Sequence, residues 1–260
     1  MKLADIDRNT EPTFFRCMHD ERPENPEVIS LRRSWYARFK DKGLRTKVLL
    51  REDGRVVGLT QYLPVEHSPL TGRDLFVILC IAVHGYEHLV GNQQGKGYGR
   101  FMLDCIEQDA RAAGAKGIAA RADQLPDYPQ WSSAPFFEHM GYSRVETRGP
   151  LVLMWKKFKR SARPPAMPVL VPLPLPDPEK VKVTVFTTGW CSVDCANCLS
   201  ARSAVAGLEN VDYQEIDTSD RANLLSHGID DAVLLNNAPF REYGNPWKSE
   251  DLRAAILGHI

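Results

Sequence analysis

The stretch with the clearest chemical potential is a glycine-rich run, Gln94-Gly95-Lys96-Gly97-Tyr98-Gly99-Arg100, between an apolar segment and an amphipathic one. Glycines let the backbone turn tightly and leave several N–H groups unobstructed. Those donors, added to the positive end of a following helix, form an anion site suited to a diphosphate. Two familiar phosphate loops are excluded, because Arg100 stands where a dinucleotide-binding loop needs a small residue and Tyr98 where a P-loop needs serine or threonine.

A second cluster consists of thiols. Cys191, Cys195 and Cys198 fall within eight residues, in a segment that runs from an apolar strand pattern into a helix pattern. A helix N-terminus lowers the pKa of a thiol, which favours redox chemistry. Three thiolates also bind a soft metal ion such as zinc, for which His227 is a candidate fourth ligand. The sequence predicts one of these two functions and leaves the choice open.

Composition limits the classes of partner. The 260 residues carry 33 Lys and Arg against 33 Asp and Glu, so the formal net charge is zero and we expect no broad nucleic-acid-binding surface. No apolar run approaches the roughly 18–20 residues of a membrane helix, and the acidic start argues against a signal peptide. The uneven placement of the cysteines predicts a reducing, cytoplasmic setting. Oligomerisation stays open.

Proline marks the predicted domain boundary. Seven of the 18 prolines lie within residues 159–180, and this density is incompatible with a helix or a central strand. We therefore predict a first domain over residues 1–158, a Pro-rich linker over 159–180 and a second domain over 181–260. Apolar residues between the prolines indicate that the linker lies against a domain.

The first domain alternates helix and strand patterns. Asp53-Gly54 is a strong hairpin signal between two β-rich segments, and residues 75–83 form a continuous apolar run typical of a buried central strand. The glycine-rich run and then a helix follow this strand. The pattern predicts an α/β (α+β) domain with a mixed, mostly antiparallel sheet. The predicted helices cover residues 27–42, 100–113 and 132–140, and the predicted strands cover 46–51, 55–63, 73–84 and 117–122, with a closing pair within 142–157.

The second domain shows the element order β-α-β-α-β-β-α, which is typical of thioredoxin-like and glutaredoxin-like domains. The predicted strands cover residues 181–187, 211–216, 232–235 and 239–243, and the predicted helices cover 195–206, 221–226 and 249–257. Asn236-Asn237 supplies the turn of the closing hairpin.

Three segments of the first domain together resemble the GNAT superfamily of N-acyltransferases. Gln94, Gly97 and Gly99 match the family's Q/R-x-x-G-x-G/A loop, which binds the diphosphate of acyl-CoA. Ile81-Ala82-Val83-His84 is similar to the strand that ends before that loop. The stretch from Ala134 to Tyr142 resembles the family's A-x-x-Φ-Y-E-x-x-G-F segment. The resemblance covers residues 1–158.

This resemblance implies acetyl-CoA as co-substrate and a primary amine as acceptor, with direct attack of the amine on the thioester. Backbone groups of Ile81 and Val83 are expected to pair with the pantetheine arm, and an N–H near Val83 is expected to polarise the thioester carbonyl. The residues expected to bind the coenzyme phosphates are Gln94, Gly95, Lys96, Gly97, Tyr98, Gly99 and Arg100.

The chain departs from the family at the position of the usual proton donor, where Phe137 replaces tyrosine. Either another hydroxyl donates the proton or the thiolate of CoA leaves unaided. The candidate donors are Tyr128, Ser132, Ser133 and Tyr142, of which we select Tyr142. His84 and Glu87, in a stretch longer than the family's usual turn, are the selected proton acceptors, and His88 is a further candidate.

Trp190-Cys191 resembles the entry to thioredoxin-like redox sites, and the pairing of the two halves resembles GNAT proteins with a YoaP-like C-terminal domain. Gly228-Ile229-Asp230-Asp231 stands where such domains usually carry a cis-proline. The sequence therefore predicts an N-acyltransferase with a thioredoxin-like, cysteine-containing domain. The alternative is a non-catalytic CoA-binding protein whose C-terminal cysteines sense metal or oxidant.

Overall fold

The computed structural model describes residues 1–18, 25–124, 132–240 and 247–259. The chain packs as two compact units. The first consists of Met1–Asn25 and Ala37–Met167, and the second of Pro26–Tyr36 and Pro168–Ile260. No helix in the described ranges combines the length and the apolarity that a membrane crossing requires.

The first unit is built on a seven-stranded sheet of described residues. Its strands are β1 (Lys2–Asp5), β2 (Arg45–Leu50), β3 (Val56–Pro64), β4 (Leu75–Val83), β5 (Gly117–Asp123), β6 (Ser143–Arg148) and β7 (Leu151–Lys157). The helices in this part of the chain are α1 (Glu11–Arg16), α2 (Pro26–Phe39), α3 (Tyr98–Ala112) and α4 (Ala134–His139). Most of α2 belongs to the second unit.

The strand order is β1-β2-β3-β4-β5-β7-β6, and among the described strands of this sheet only the β4–β5 pair is parallel. The predicted mixed, mostly antiparallel sheet is therefore confirmed. Strand β4 is buried along almost its whole length, as its apolar run predicts. Helix α3 packs on the sheet through Met102, Ile106 and Ala110, which are fully buried.

Strands β4 and β5 part at their carboxyl ends. They pair only where Leu75–Ile78 faces Gly117–Ala120, although β4 continues to Val83. The pairing of β4 with β3 is irregular at the same point, because Gln61 faces Cys80 while Tyr62 faces Ile78. One extra β4 residue, Leu79, is thus inserted as a bulge, which bends a strand. Among the described strands, none pairs with this edge of the last residues of β4 once the two strands have parted.

The second unit contains a four-stranded sheet of described residues in the order β11-β10-β8-β9, where β8 and β9 are parallel and the other pairs antiparallel. Its elements are β8 (Val181–Thr187), α5 (Ser192–Val205), β9 (Val211–Asp217), α6 (Arg221–His227), β10 (Ala232–Leu235), β11 (Ala238–Pro239) and α7 (Ser249–Leu257). The predicted element order is observed. Asn236 and Asn237 form the hairpin turn with positive φ, and the predicted extension of β11 over residues 241–243 lies outside the described residues.

The Pro-rich segment, residues 159–180, forms no helix or strand. Its earlier part contacts residues of the first unit, and its later part contacts residues of the second. Ala166 pairs with Thr71 in the first unit. In the second unit, the Val171 N–H donates to the His227 carbonyl at 3.0 Å. A Cβ on Gly228 would fall 1.9 Å from the Val169 carbonyl oxygen, so only glycine fits there.

The two units differ from the predicted domains in two respects. The division falls between Met167 and Pro168, inside the predicted linker, so that each half of the linker belongs to one unit. Residues 26–36, which the sequence assigns to the first domain, belong to the second unit. Arg32 Nε donates to the Trp190 carbonyl at 3.1 Å. Trp35 lies so close to Gly189 that a Cβ there would be 3.3 Å from Trp35 Cβ. These long-range contacts have no local sequence signal.

Candidate active site

A cavity of about 320 Å³ lies in the first unit, where the end of β4 meets the glycine-rich run, α3 and α4. The residues that line it are Ile81, Val83, Gln93, Gln94, Gly95, Gly97, Tyr98, Gly99, Arg100, Ser133, Phe136, His139 and Met140. This set includes eight of the nine residues predicted to bind the coenzyme. The ninth, Lys96, does not line the cavity in the described part of the chain.

The glycine-rich run forms a loop that leads directly into α3. Gly95 and Gly97 have φ values of +75° and +79°, which glycine adopts at no steric cost, and a Cβ on either would meet no atom of the described residues within 4 Å. Gly97 is the N-cap residue of α3, no side chain in the described ranges caps this end, and the first turn carries no acidic residue. The backbone N–H groups at this end are therefore available to an anion, which the helix dipole also favours.

The end of β4 presents backbone groups to the cavity. The N–H of His84 donates to the Val57 carbonyl on the β3 side at 3.0 Å. Because polar groups alternate along a strand, those of Val83 and Ile81 point to the other side, where β5 has parted from β4. The Val83 carbonyl accepts a long hydrogen bond of 3.4 Å from Gln94 Nε2. An extended ligand arm could pair with this open edge.

Two cations of the loop are held by neutral partners. Lys96 Nζ donates to Gln93 Oε1 at 3.2 Å, and Arg100 Nη2 lies 3.0 Å from His139 Nε2. Gln93 is buried and its amide donates to the carbonyls of Val90 and Gly91. The site thus contains positive charge that its own hydrogen-bond partners do not neutralise.

The two predicted proton acceptors lie on the segment between β4 and the loop. His84 is 2% exposed, its Nδ1 lies 3.0 Å from the Gly91 carbonyl, and its ring packs against Tyr86 and His88. Since a carbonyl only accepts, Nδ1 carries the hydrogen. Glu87 is exposed. In the described part of the first unit, neither His84 nor Glu87 lines the cavity.

Among the candidate proton donors, only Ser133 lines the cavity in the described residues; Tyr128 lies outside them. Tyr142 is buried, and its ring packs edge-on against Phe137 at 5.1 Å. Burial, with the nearby Glu107, raises the pKa of Tyr142 well above its usual value, so its hydroxyl keeps its proton. Phe137 itself is fully buried in the core.

Sequence reasoning did not select Gln93, Phe136, His139 and Met140 as site residues. The segment around α4 that carries the family resemblance contains Phe136, His139 and Met140. Their spacing of three and four residues places them on one side of a helix, and this was the sequence signal that could have found them. Gln93 directly precedes the predicted loop. No local pattern indicates that its amide is buried.

The predicted metal site at Cys191, Cys195 and Cys198 is not formed in the described ranges, where no three His, Cys, Asp or Glu side chains are arranged to hold a metal ion. The reason is the start of α5 at Ser192, three residues before its predicted start. Cys195 and Cys198 therefore lie inside the helix and face the core. Burial raises the pKa of both thiols, that of Cys198 to about 12, which opposes the thiolate character expected of these two.

Cys191 has a different environment, because it is the N-cap residue of α5 and is partly exposed. The preceding turn is fixed by Asp194, whose Oδ2 accepts hydrogen bonds from the N–H groups of Thr188 and Gly189 and from the hydroxyls of Thr187 and Thr188. Burial raises the pKa of Asp194 to about 6 despite these four donors.

The acetyltransferase (GNAT) family profile matches residues 12–142, half of the chain. The comparison with curated proteins found no match to this chain. Among solved structures, the ribosomal-protein-alanine N-acetyltransferase of Brucella melitensis is 18% identical, with 61% of this chain and 100% of that chain covered and a TM-score of 0.45. The PaiA N-acetyltransferase of Thermoplasma acidophilum, in complex with coenzyme A, is 12% identical, with 60% and 98% covered and a TM-score of 0.42.

Proposed function

The chain belongs to the acetyltransferase (GNAT) family, and from this premise we propose that it transfers an acetyl group from acetyl-CoA to a primary amine by direct attack. The observation that carries the proposal is the cavity of about 320 Å³ in which the open end of β4 and the glycine-rich loop meet. A diphosphate and an extended thioester arm have complementary partners there.

The proposed diphosphate site consists of the backbone N–H groups from Gly95 to Arg100. Positive φ at Gly95 and Gly97 lets the loop backbone turn tightly, and the start of the 15-residue α3 adds its dipole. The loop cations add charge. The pantetheine arm then pairs with the free edge of β4 at Ile81 and Val83, with the Val83 N–H directed at the thioester carbonyl. Such a donor stabilises the oxyanion that forms during attack.

The acceptor amine must lose a proton before it attacks, and the departing thiolate gains one. We propose His84 and Glu87 as proton acceptors, which act directly or through water. Since neither lines the described cavity, the route through water is favoured. We propose Tyr142 as donor, since its buried hydroxyl keeps its proton. Ser133, which lines the cavity, is the competing hydroxyl.

The central experiment compares two positive-φ glycines at opposite ends of the same helix. Val at Gly97 or Gly114 strains the backbone similarly, and neither Cβ comes within 4 Å of another described residue, but only Gly97 lies in the loop. Calorimetry should show that Gly97→Val weakens CoA binding by at least about 2 kcal/mol, because the amide donors lose their anion. Gly114→Val should bind CoA like wild type. Equal affinity in all three proteins would overturn the CoA site.

A second function, CoA binding without turnover, is favoured by the buried Phe137, which offers no proton at the family's usual donor position. Chromatographic measurement of CoA released from acetyl-CoA, with a panel of primary amines, separates the two. An enzyme releases CoA in an amine-dependent way, whereas a binding protein shows affinity for CoA and no release with any amine.

For the second unit we propose a thioredoxin-like, YoaP-like domain with redox function. The sheet order β11-β10-β8-β9 and the Trp190-Cys191 entry into α5 support this proposal. Cys191 is its accessible thiol. Reaction of the reduced protein with a small disulfide, followed by peptide mass analysis, tests it: a mixed disulfide at Cys191 is expected, and its absence would contradict the redox proposal.

A further inference from the structure

Two of the side chains that line the cavity are hydrogen-bonded to each other. Arg100 in the first turn of α3 has its Nη2 3.0 Å from Nε2 of His139, the last residue of α4. A guanidinium only donates, so His139 Nε2 accepts and His139 is neutral, with its hydrogen on Nδ1. The pair joins the ends of two helices at the wall of the cavity.

The charge of Arg100 is left for an anion. In the part of the chain that the structure describes, its hydrogen bond goes to a neutral imidazole and not to a carboxylate. Arg111, near the other end of α3, differs: it lies 3.9 Å from Glu107 and 3.6 Å above the Phe158 ring. The arginine at the cavity is thus held in place without being neutralised.

The chemistry of the proposed co-substrate supplies a matching group. Coenzyme A carries a diphosphate and, on the same ribose, a separate 3′-phosphate. The loop amides suit the diphosphate, and a terminal phosphate needs side-chain donors nearby. Arg100 follows Gly99 directly, and helix side chains lean toward the N-terminus, which is where the diphosphate would bind. The guanidinium fork binds phosphate in bidentate fashion.

We propose that Arg100, positioned by His139, binds the 3′-phosphate of the coenzyme and makes the protein discriminate CoA from 3′-dephospho-CoA. This inference rests on the proposed function. Arg100 uses one N–H for His139, and its other donors face no acidic partner in the described residues. His139 is a positioning residue, since it restrains a flexible side chain before the ligand arrives.

The test is calorimetry on the full chain with CoA and 3′-dephospho-CoA. Wild type should bind CoA about tenfold more tightly, a modest preference because both side chains are exposed. Arg100→Gln should abolish this preference, because the affinity for CoA should fall about tenfold more than the affinity for 3′-dephospho-CoA. His139→Ala should reduce the preference, and His139→Gln should restore part of it, because its amide oxygen also accepts from Arg100. Lys157→Gln is the control. It removes an exposed cation of β7 that pairs with Gly117 at the start of β5 and does not line the described cavity.

The outcomes separate the inference from its premise. If Arg100→Gln weakened the binding of CoA and of 3′-dephospho-CoA equally, Arg100 would be assigned to the diphosphate. That result would overturn the inference while the CoA site stands. An unchanged preference in Arg100→Gln would also overturn it. Wild type that binds neither ligand would overturn the proposed function and this inference together. In turnover, Arg100→Gln should raise KM for acetyl-CoA about tenfold at constant kcat, as expected for uniform binding.

Discussion

Gly99 lies against the ring of Phe136 so closely that a Cβ on Gly99 would fall 3.2 Å from Phe136 Cε2. Gly99 has no positive φ, unlike Gly95 and Gly97. The loop motif therefore needs glycine for two separate reasons. The first two glycines set the backbone conformation that exposes the amides, and Gly99 allows α4 to approach α3 at the cavity.

The first prediction concerns this contact. Gly99→Ala should destabilise the junction of α3 and α4 by about 1 kcal/mol, because the ring must shift by a few tenths of an ångström. Its affinity for CoA should fall severalfold. Phe136→Leu in the same chain should restore part of both losses, which denaturation and calorimetry on the double variant would measure. If the two substitutions are simply additive, the contact does not limit the site.

The second prediction assigns the proton donor. Tyr142→Phe removes only a hydroxyl from a buried ring and should lower kcat by about 10²-fold if Tyr142 protonates the thiolate. Ser133→Ala is the matched variant, since Ser133 lines the cavity and its side chain does not cap α4. Single-turnover kinetics with both variants decides between them. A full rate in Tyr142→Phe with a loss in Ser133→Ala would transfer the role to Ser133.

The loop was predictable because its residues are contiguous and each glycine has a local cause. The central strand was predictable from nine successive apolar residues. Strand β1 was not predicted, since four residues of mixed polarity carry little pattern and gain their stability by pairing with β2. The contacts of Arg32 with Trp190 and of Arg100 with His139 join residues distant in sequence, and periodicity carries no information on such pairs.

The cysteines show how a small boundary error changes chemistry. The predicted helix began at Cys195, which would have placed two thiols at its positive end. The helix instead begins at Ser192, and a shift of three residues moves Cys195 and Cys198 to its buried face. Only Cys191 keeps the position at the helix N-terminus that the prediction required.

The third prediction follows from these positions. Alkylation of the reduced native protein near neutral pH should label Cys191 first and Cys195 and Cys198 at least about 10²-fold more slowly, because burial blocks access and raises their pKa. Cys105 is the internal control, being partly exposed with a pKa that burial raises. Peptide mass analysis over time gives the order. Labelling of Cys198 as fast as Cys191 would contradict the described burial.

The last prediction concerns Asp194, whose carboxylate holds the turn before Cys191. Burial raises its folded-state pKa from 3.8 to about 6. Between pH 3.8 and about pH 6, therefore, Asp194 holds a proton in the folded protein and has lost it in the unfolded chain. The contribution of Asp194 to the free energy of unfolding is therefore fully present below about pH 4 and is lost as pH rises through about 6.

Two variants test this dependence. Asp194→Asn keeps an acceptor oxygen without the charge and should flatten the dependence on pH. Asp194→Ala should destabilise the turn at every pH, because it leaves the buried donors of Thr188 unsatisfied. Hydrogen exchange of peptides from residues 181–205, corrected for intrinsic rates, measures both effects between pH 4 and 8. If wild type becomes more protected as pH rises through 6, the carboxylate is stabilised in its charged form and the assignment is wrong.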